Sequence, residues 1–509
     1  MTAPGAEGGV TAPRAAADVS NVVLITVDSL RADAVSGPGD RLTPEIGSLA
    51  GSGTVFENAF THGNWTPFAF PSMLASRPVF AESGDIGLPS SPALAEVLRD
   101  AGIRTAGFNA ANGFLTAHWG YDRGFDEFEA FIGSGDNRYG RYLAAHPTIQ
   151  AWLQLATSPF RRLASRIRGG AEEQPFTDTS RLLDIERRGT EFVADDGPFF
   201  LWLHYMDTHT PYVPAPRYLR EVSGGRLETH RIVRAHARTG LGLGVSDRTL
   251  DDLRTLYDAT VRQVDASVGR VVSALKDAGV ADETAVIVAG DHGEEFMEHG
   301  HLAHYPKLYR ELIHVPLVVS VPGRDPGGMT EAVGLEGIPP TVCDLLNVDP
   351  PATWDGRRLP RAGDGDRTGT DRNGVGGGDG AAGAAGGGGA GSDRAPIVSV
   401  AVRGESVTQQ PIPRRRADGR LLASARTTRW TYVEDTVTGR RELYDRRRDP
   451  GERTNRLAAD DDPPPAVDDL EAAVAAHVEA LGSDAGDRDR DEEPLDDGIA
   501  DRLDALGYR

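Results

Sequence analysis

Asp291 and His292 stand side by side, followed by Gly293, Glu294 and Glu295. A carboxylate and an imidazole on adjacent residues, splayed by a turn at the glycine, can both reach one cation. A second carboxylate, Asp28, ends an apolar run far upstream. Two carboxylates from separate strands supply hard oxygen ligands. A cation held this way polarises a phosphoryl or sulfuryl oxygen and lowers the pKa of a hydroxyl until it becomes a nucleophile. A hydroxyl or thiol therefore belongs nearby, and Thr66 is the candidate. It precedes an apolar, helix-like stretch, which places its side chain at a helix N-terminus. There the free N–H groups and the dipole favour an anionic ester. Taken locally, the same threonine also reads as an ordinary N-cap.

These residues need elements to bring them together. Asn21–Val27 is a continuous apolar, β-branched run that stops at Asp28, as a strand buried on both faces would. Arg104–Phe108 runs into Asn109, and Phe199–Leu203 into His204, Asp207 and His209. Thr284–Ala289 runs into Gly290, Asp291 and His292, and Leu317–Val321 into Pro322. Helical patterns lie between them, at Ser91–Ala101 and Thr255–Ala278. The alternation predicts an α/β fold with a mostly parallel sheet covered by helices. In such sheets ligands bind beyond the carboxyl ends of the strands, where these polar residues fall.

The 509 residues suffice for more than one domain. The expected organisation is an N-terminal stretch to residue 20 without order, a catalytic α/β domain over 21–361 and a Gly/Asp-rich linker over 362–395. A small C-terminal α+β subdomain over 396–483 follows, with a hairpin turning around Asp435–Gly439. An acidic tail with a short terminal helix covers 484–509. No apolar run reaches the roughly 20 residues of a membrane span, and the start lacks an apolar signal core. The expectation is a cytoplasmic protein without a membrane span. The one cysteine, Cys343, excludes an intrachain disulfide and reads as part of a buried helix. Net charge is -22, and of 54 basic residues only Lys276 and Lys307 are lysines. An acidic, Arg-over-Lys surface resembles proteins of salt-loving archaea; a GC-rich genome produces the same bias. The acidity excludes a nucleic-acid partner bound through a basic surface.

The chain resembles the sulfatase family of the alkaline phosphatase superfamily. The matching stretches are Asn21–Asp33, Leu42–Thr61, Trp65–Ser76, Gly120–Phe128, Phe200–Pro214, Tyr257–Leu275, Gly290–His301, Leu308–Val319 and Glu442–Asn455, with Arg502–Tyr508 at the end. Their order is the family's own. The resemblance implies an alkaline-phosphatase-like fold and metal aspartates at Asp28 and Asp291, with His292 where many sulfatases have Asn. It implies the nucleophile at Thr66, also a metal ligand, and anion or leaving-group contacts at His209 and His304, with Lys307 as the fallback. His204, Asp207 and Asn109 fall behind the metal residues or in the substrate pocket, and Arg31 follows the family's D-x-x-R pattern in support of the site.

The chain departs from the family where its chemistry begins. Sulfatases carry Cys or Ser followed by x-P-x-R; here the stretch is Thr66–Pro67–Phe68–Ala69–Phe70. Threonine cannot yield formylglycine, because its Cβ carries a methyl group. An unmodified Thr alkoxide resembles instead the nucleophile of the superfamily's phosphodiesterases and phosphoglycerol transferases. Ser29 stands where a second Asp is common. With His292, this favours Mn or Zn over Ca in a site for one divalent ion. A second metal on Asp207, His209 and His301 or His304 is the less favoured arrangement. The expected function is a metal-dependent hydrolase of sulfate or phosphate esters, acting on a small molecule or glycan. The alternatives are a phosphotransferase and a non-catalytic binder of anionic glycans. A scaffold has no need for polar residues converging at strand ends.

Overall fold

The computed structural model describes residues 19–131, 181–361, 395–403, 414–458 and 463–483, save positions 36, 38, 83, 226, 228 and 241–243. The expected N-terminal stretch, linker and acidic tail lie, but for a few boundary residues, outside the described residues.

The strands are β1 (Asn21–Val27), β2 (Thr54–Phe60), β3 (Arg104–Asn109), β4 (Glu127–Glu129), β5 (Phe199–Tyr205), β6 (Thr284–Gly290), β7 (Glu295–Phe296), β8 (Leu302–Ala303), β9 (Leu317–Ser320) and β10 (Gly327–Gly334). They are followed by β11 (Ile397–Arg403), β12 (Arg420–Arg426), β13 (Trp430–Asp435) and β14 (Arg440–Asp445). The helices are α1 (Pro44–Ser52), α2 (Thr66–Ala75), α3 (Leu94–Asp100), α4 (Leu182–Val193), α5 (Pro216–Ser223), α6 (Thr229–Gly240), α7 (Asp247–Asp277), α8 (Arg310–Ile313), α9 (Ile338–Leu345) and α10 (Ala466–Ser483). Eight strands form a central sheet in the order β10-β2-β9-β6-β1-β5-β3-β4, with β9 antiparallel to its neighbours. A separate antiparallel sheet, β11-β12-β13-β14, follows at the C-terminal end.

The apolar runs of β1, β5 and β6 are buried along their whole length. Alternation divides them between two cores. Val23, Ile25, Val27, Leu201, Leu203 and Val288 face α1, α4 and α7. Val22, Leu24, Phe200, Trp202 and Ile287 face α2, α3 and α9. Each such fully buried aliphatic side chain contributes about 2 kcal/mol. The same alternation carries Thr26, Asp28, His204 and Asp291 onto the α2 side. Here the structure corrects the reading of β5: the strand runs on to Tyr205, and His204 pairs with Thr26 and Asn109 inside the sheet rather than beyond its end.

The two sheets meet along the segment that leads into α2. Val400 N donates to His62 O at 2.8 Å and Ser399 Oγ to Thr61 O at 2.6 Å. Gly63 bridges Val400, and a Cβ there would run into Phe68. Trp65 and Phe68 pack into the core of the small sheet with Val400, Leu421 and Tyr432, while Phe70 packs into the core of the large one. His62 ties the seam: Nδ1 lies 2.8 Å from Val398 O, and Nε2 meets the Glu336 carboxylate. Two acceptors require both ring nitrogens to carry protons. Burial lowers the His62 pKa, but Glu336 and Val398 O outweigh it and hold it above 6.5. His477 is pushed down to about 4 by burial and by His62.

Because the folded pKa of His62 is raised, its stabilisation is complete below the unfolded value and is lost as pH rises through the folded one. His62→Gln is expected to cost about 1.5 kcal/mol in mildly acidic solution. The melting-temperature gap to the parent should shrink as pH is raised from mildly acidic into alkaline solution, as the charged pair is lost. A gap that stays constant or widens across the titration would contradict the charged pair.

Candidate active site

The sheet register builds the site. Val27 pairs with Tyr205 on one side and Gly290 on the other, so β1, β5 and β6 end level. Asp28 and Asp291 leave these ends together, both with no exposed surface. The chain turns at Ser29 with φ 57°, a left-handed conformation that few non-glycine residues adopt. The turn lets Ser29 N donate to Asp291 Oδ1 at 3.1 Å while its Oγ donates to Asp28 Oδ1 at 3.0 Å. Tyr257 from α7 donates its hydroxyl to Ser29 O at 2.9 Å, and Thr208 Oγ1 donates to Asp28 O. At the other loop, His292 N donates to Asp291 Oδ1 at 2.7 Å. Gly293 has no room for a side chain, because a Cβ would meet the Glu311 carbonyl.

Thr66 is the first residue of α2, and no side chain caps this helix. Thr66 Oγ1 donates to Asp28 Oδ2 at 3.2 Å. All of α2 is buried, Pro67 stands in its first turn, and Phe70 packs against Trp202, Tyr121 and His204. The position that carries arginine in formylglycine enzymes is thus an apolar wedge.

Around the two aspartates stand four imidazoles, His204, His209, His292 and His304. His292 Nδ1 lies 2.9 Å from Gly293 O, which fixes the proton on Nδ1 and leaves Nε2 facing Asp28 Oδ1 at 3.4 Å. His204 Nδ1 lies 3.0 Å from Thr26 Oγ1, and its Nε2 lies 3.9 Å from Asp28 Oδ2 with no hydrogen-bond partner. Asp291 Oδ2 also lacks one. One ligand atom each from Asp28, His204 and Asp291 lies within 4.8 Å of the others. Buried polar atoms without partners are costly, and these converge on one point. The donor set, two carboxylates with imidazole nitrogens held in their ligand tautomer by backbone and hydroxyl partners, fits a divalent cation.

The charges follow. Burial raises the Asp28 carboxyl, but His209, His292, His204 and His304 outweigh it and hold it below the ordinary range. Burial, then the Asp28 charge, hold Asp291 well above it. Burial pushes His204 down to about 4 and keeps His304 well below the usual histidine range. Burial pushes Glu294 up to about 7 against the pull of His209 and His292.

The structure brings together most of the residues expected from sequence. The His304 ring centre lies 4.9 Å from that of His209 and 5.2 Å from that of His292, tilted to both, and its carbonyl accepts from Trp65 Nε1 at 2.6 Å. His209 Nδ1 is tied to Thr210 O at 2.6 Å, leaving Nε2 open. Three residues stand elsewhere than a substrate pocket requires. Asn109 is buried and bonded to Leu115 O and Asn112 N. Arg31 is taken up by Asp33, Glu298 and Glu294 O, and holds the loop after Asp291 and His292. Lys307 binds the His299 carbonyl, 3.7 Å from Glu295. Asp207 accepts from Gln263 Nε2 at 2.7 Å and His301 stacks on Tyr305; among the described residues the cation grouping is Asp28, His204 and Asp291, not the less favoured second-metal set. Sequence reasoning passed over Asn112, whose Nδ2 donates to Asp28 Oδ2 at 3.3 Å. It also placed His204 outside the metal set; the signal was parity along β5, readable only once β5 is known to pair with β1.

The fold is similar to that of the phosphonate monoester hydrolase of Agrobacterium radiobacter, with TM-score 0.61 at 20% identity over 91% of this chain and 95% of that one. Fold and site together define a hydrolase of sulfuric or phosphoric esters in the alkaline phosphatase superfamily. The sequence profile of the Sulfatase family matches residues 20–348, and the chain belongs to that family. Among curated relatives, Arylsulfatase K of Bos taurus is 26% identical over 400 residues, 70% of this chain and 68% of that protein. The Multifunctional alkaline phosphatase superfamily protein PehA of Trinickia caryophylli is 30% identical over 224 residues, 37% of this chain and 43% of that one. The matched stretch thus spans less than half of the bacterial relative. Among the described residues no helix is long and apolar enough to cross a membrane.

Metal titration followed by calorimetry tests the cradle. Asp291→Ala and His204→Ala are each expected to weaken binding of Mn²⁺ or Zn²⁺ at least about tenfold. Unchanged affinity in His204→Ala would remove that histidine from the ligand set.

Proposed function

We propose that this protein cleaves a phosphate or sulfate ester with Thr66 Oγ1 as nucleophile beside one divalent cation held by Asp28, Asp291, His292 and His204. The observation that carries the reading is the Thr66 hydroxyl at the open N-terminus of α2, 3.2 Å from Asp28. Two nitrogen ligands favour Mn²⁺ or Zn²⁺ over Ca²⁺. Such an ion, when bound, would lower the pKa of the threonine hydroxyl and draw charge from the ester oxygen.

The chain's own groups do the rest. Asp28 orients the Thr66 hydroxyl and accepts its hydrogen bond. The first N–H groups of α2 face the non-bridging oxygens of the ester. The Thr66 hydroxyl proton passes to Asp28 as the oxygen attacks phosphorus or sulfur; a new O–P or O–S bond forms, and the bond to the leaving oxygen breaks. His209 gives the departing oxygen a proton, and His304, kept neutral by burial, flanks it. Water then cleaves the ester formed on Thr66: its hydroxyl stays on phosphorus or sulfur, its proton goes to the threonine oxygen, and the proton on Asp28 passes back to His209.

Threonine at this position favours phosphorus over sulfur, since the methyl on Cβ closes the aldehyde route. A single panel decides. The purified protein is given Mn²⁺, Zn²⁺, Ca²⁺ or Mg²⁺ and tested on nitrophenyl phosphate, a phosphodiester, a phosphonate ester and a sulfate ester. Turnover of a phosphorus ester is expected, falling at least about a thousandfold in Thr66→Ala. Turnover that survives this substitution would sink the nucleophile, and no turnover on any ester with any metal would support a non-catalytic binder.

A further inference from the structure

The loop from His299 to Arg310 carries His304 to the site. Its backbone is left-handed at Ala303, with φ 63°, and at Met297 just ahead of it, with φ 66°. Non-glycine residues keep such conformations where the surroundings over-determine them, so contacts from outside must fix this loop. At His304 they come from the segment before α2: Trp65 Nε1 and Asn64 Nδ2 donate to His304 O at 2.6 and 3.2 Å. At the base of the loop they converge on one residue of the C-terminal region, Glu452.

Glu452 follows β14, is buried, and bonds both ends of the loop. Its carbonyl oxygen lies 2.9 Å from His299 Nε2, and its Oε2 accepts from Arg310 N at 2.8 Å. His299 is oriented for this contact by Glu311 Oε1, 2.6 Å from Nδ1, and by the Tyr309 ring, stacked on it at 3.8 Å. Thr431 Oγ1 of β13 fixes the other carboxylate oxygen, donating to Glu452 Oε1 at 2.6 Å. Two cations tighten the base further. Lys307 Nζ donates to His299 O, and the fully buried Arg426 donates to Leu308 O. Glu452 is itself left-handed, with φ 53°. A buried carboxylate and a strained backbone both reduce stability, and a residue kept for stability alone would combine neither.

We propose that Glu452 is a positioning residue for the ester reaction: by clasping His299 and Arg310 it sets where His304 stands against the leaving oxygen. The inference rests on the ester-hydrolase reading, in which His304 flanks that oxygen. Glu452 touches no reacting atom and acts through the loop.

Kinetics of the full chain on the phenyl and nitrophenyl forms of whichever ester is turned over test it. The phenyl form has the poorer leaving group and depends more on the groups around the departing oxygen. Glu452→Ala is expected to lower kcat on the phenyl ester about tenfold and on the nitrophenyl ester less, with KM and metal affinity unchanged. Glu452→Gln keeps an acceptor for Arg310 N and should recover most of the loss. Thr431→Val frees Glu452 Oε1 and should shift the same ratio by about threefold; it and Glu452→Gln carry the test if Glu452→Ala does not fold. In a double variant with His304→Ala, the two losses should fail to add. Additive losses, or an unchanged ratio between the two esters in every folded variant, would overturn the clasp. NMR of ring-labelled histidine gives a readout without turnover. The His304 signal, assigned by its disappearance in His304→Ala, should shift in the Glu452 and Thr431 variants while that of His204 stays. An unmoved His304 signal would overturn the clasp. A shifted signal in a protein that turns over no ester would leave the clasp standing and sink the nucleophile reading.

Discussion

Two carboxylates, Asp28 and Asp291, are held without solvent at the level ends of adjacent strands. Like charges in a dry interior repel strongly and cannot both persist uncompensated. Much of the surrounding architecture answers that problem. Ser29 N, Ser29 Oγ, His292 N, Asn112 Nδ2 and Thr66 Oγ1 all donate to the pair. The imidazoles stand where a cation would complete the balance. The strained turn at Ser29 is part of the same solution, because that conformation lets one residue donate to both carboxylates.

The placement of Thr66 depends on both sheets. Thr66 lies between Trp65 and Phe68, which pack into the small sheet, and Phe70, which packs against Trp202 and His204 in the large one. The His62–Glu336 contact and the Gly63–Val400 bridge close the seam just upstream. The C-terminal sheet is therefore part of what fixes Thr66 relative to Asp28. Phe70 fills the space beside His204 with an apolar ring, packed between Tyr121 and Trp202.

Much of the fold was legible because buried parallel strands read as unbroken β-branched runs. Asn21–Val27 and Thr284–Gly290 were visible in this way, and each stopped at a polar residue that lies in the candidate site. The hairpin of β13 and β14 was visible from its turn residues. β2 and the edge strand β10 were not, since their exposure alternates irregularly and Gly327 and Gly328 open the latter. The sequence pattern marks Arg31 as support for the site, but its ion pairs with Asp33 and Glu298 are decided by how the loops fold back.

What the sequence determined alone was chemical identity: two aspartates after strands, a histidine beside one of them, and a threonine whose methyl group forbids an aldehyde. Those are properties of single residues and their immediate neighbours, so no tertiary information was needed. What only the tertiary structure decided was adjacency. His204 joins the candidate cation site because β5 pairs with β1 in a register that sets it beside Thr26, although 178 residues separate the two in the chain. Asn112 reaches Asp28 for the same kind of reason. A strand carries its own period of two, but not the identity of its partner, and that pairing is what turns scattered polar residues into a site.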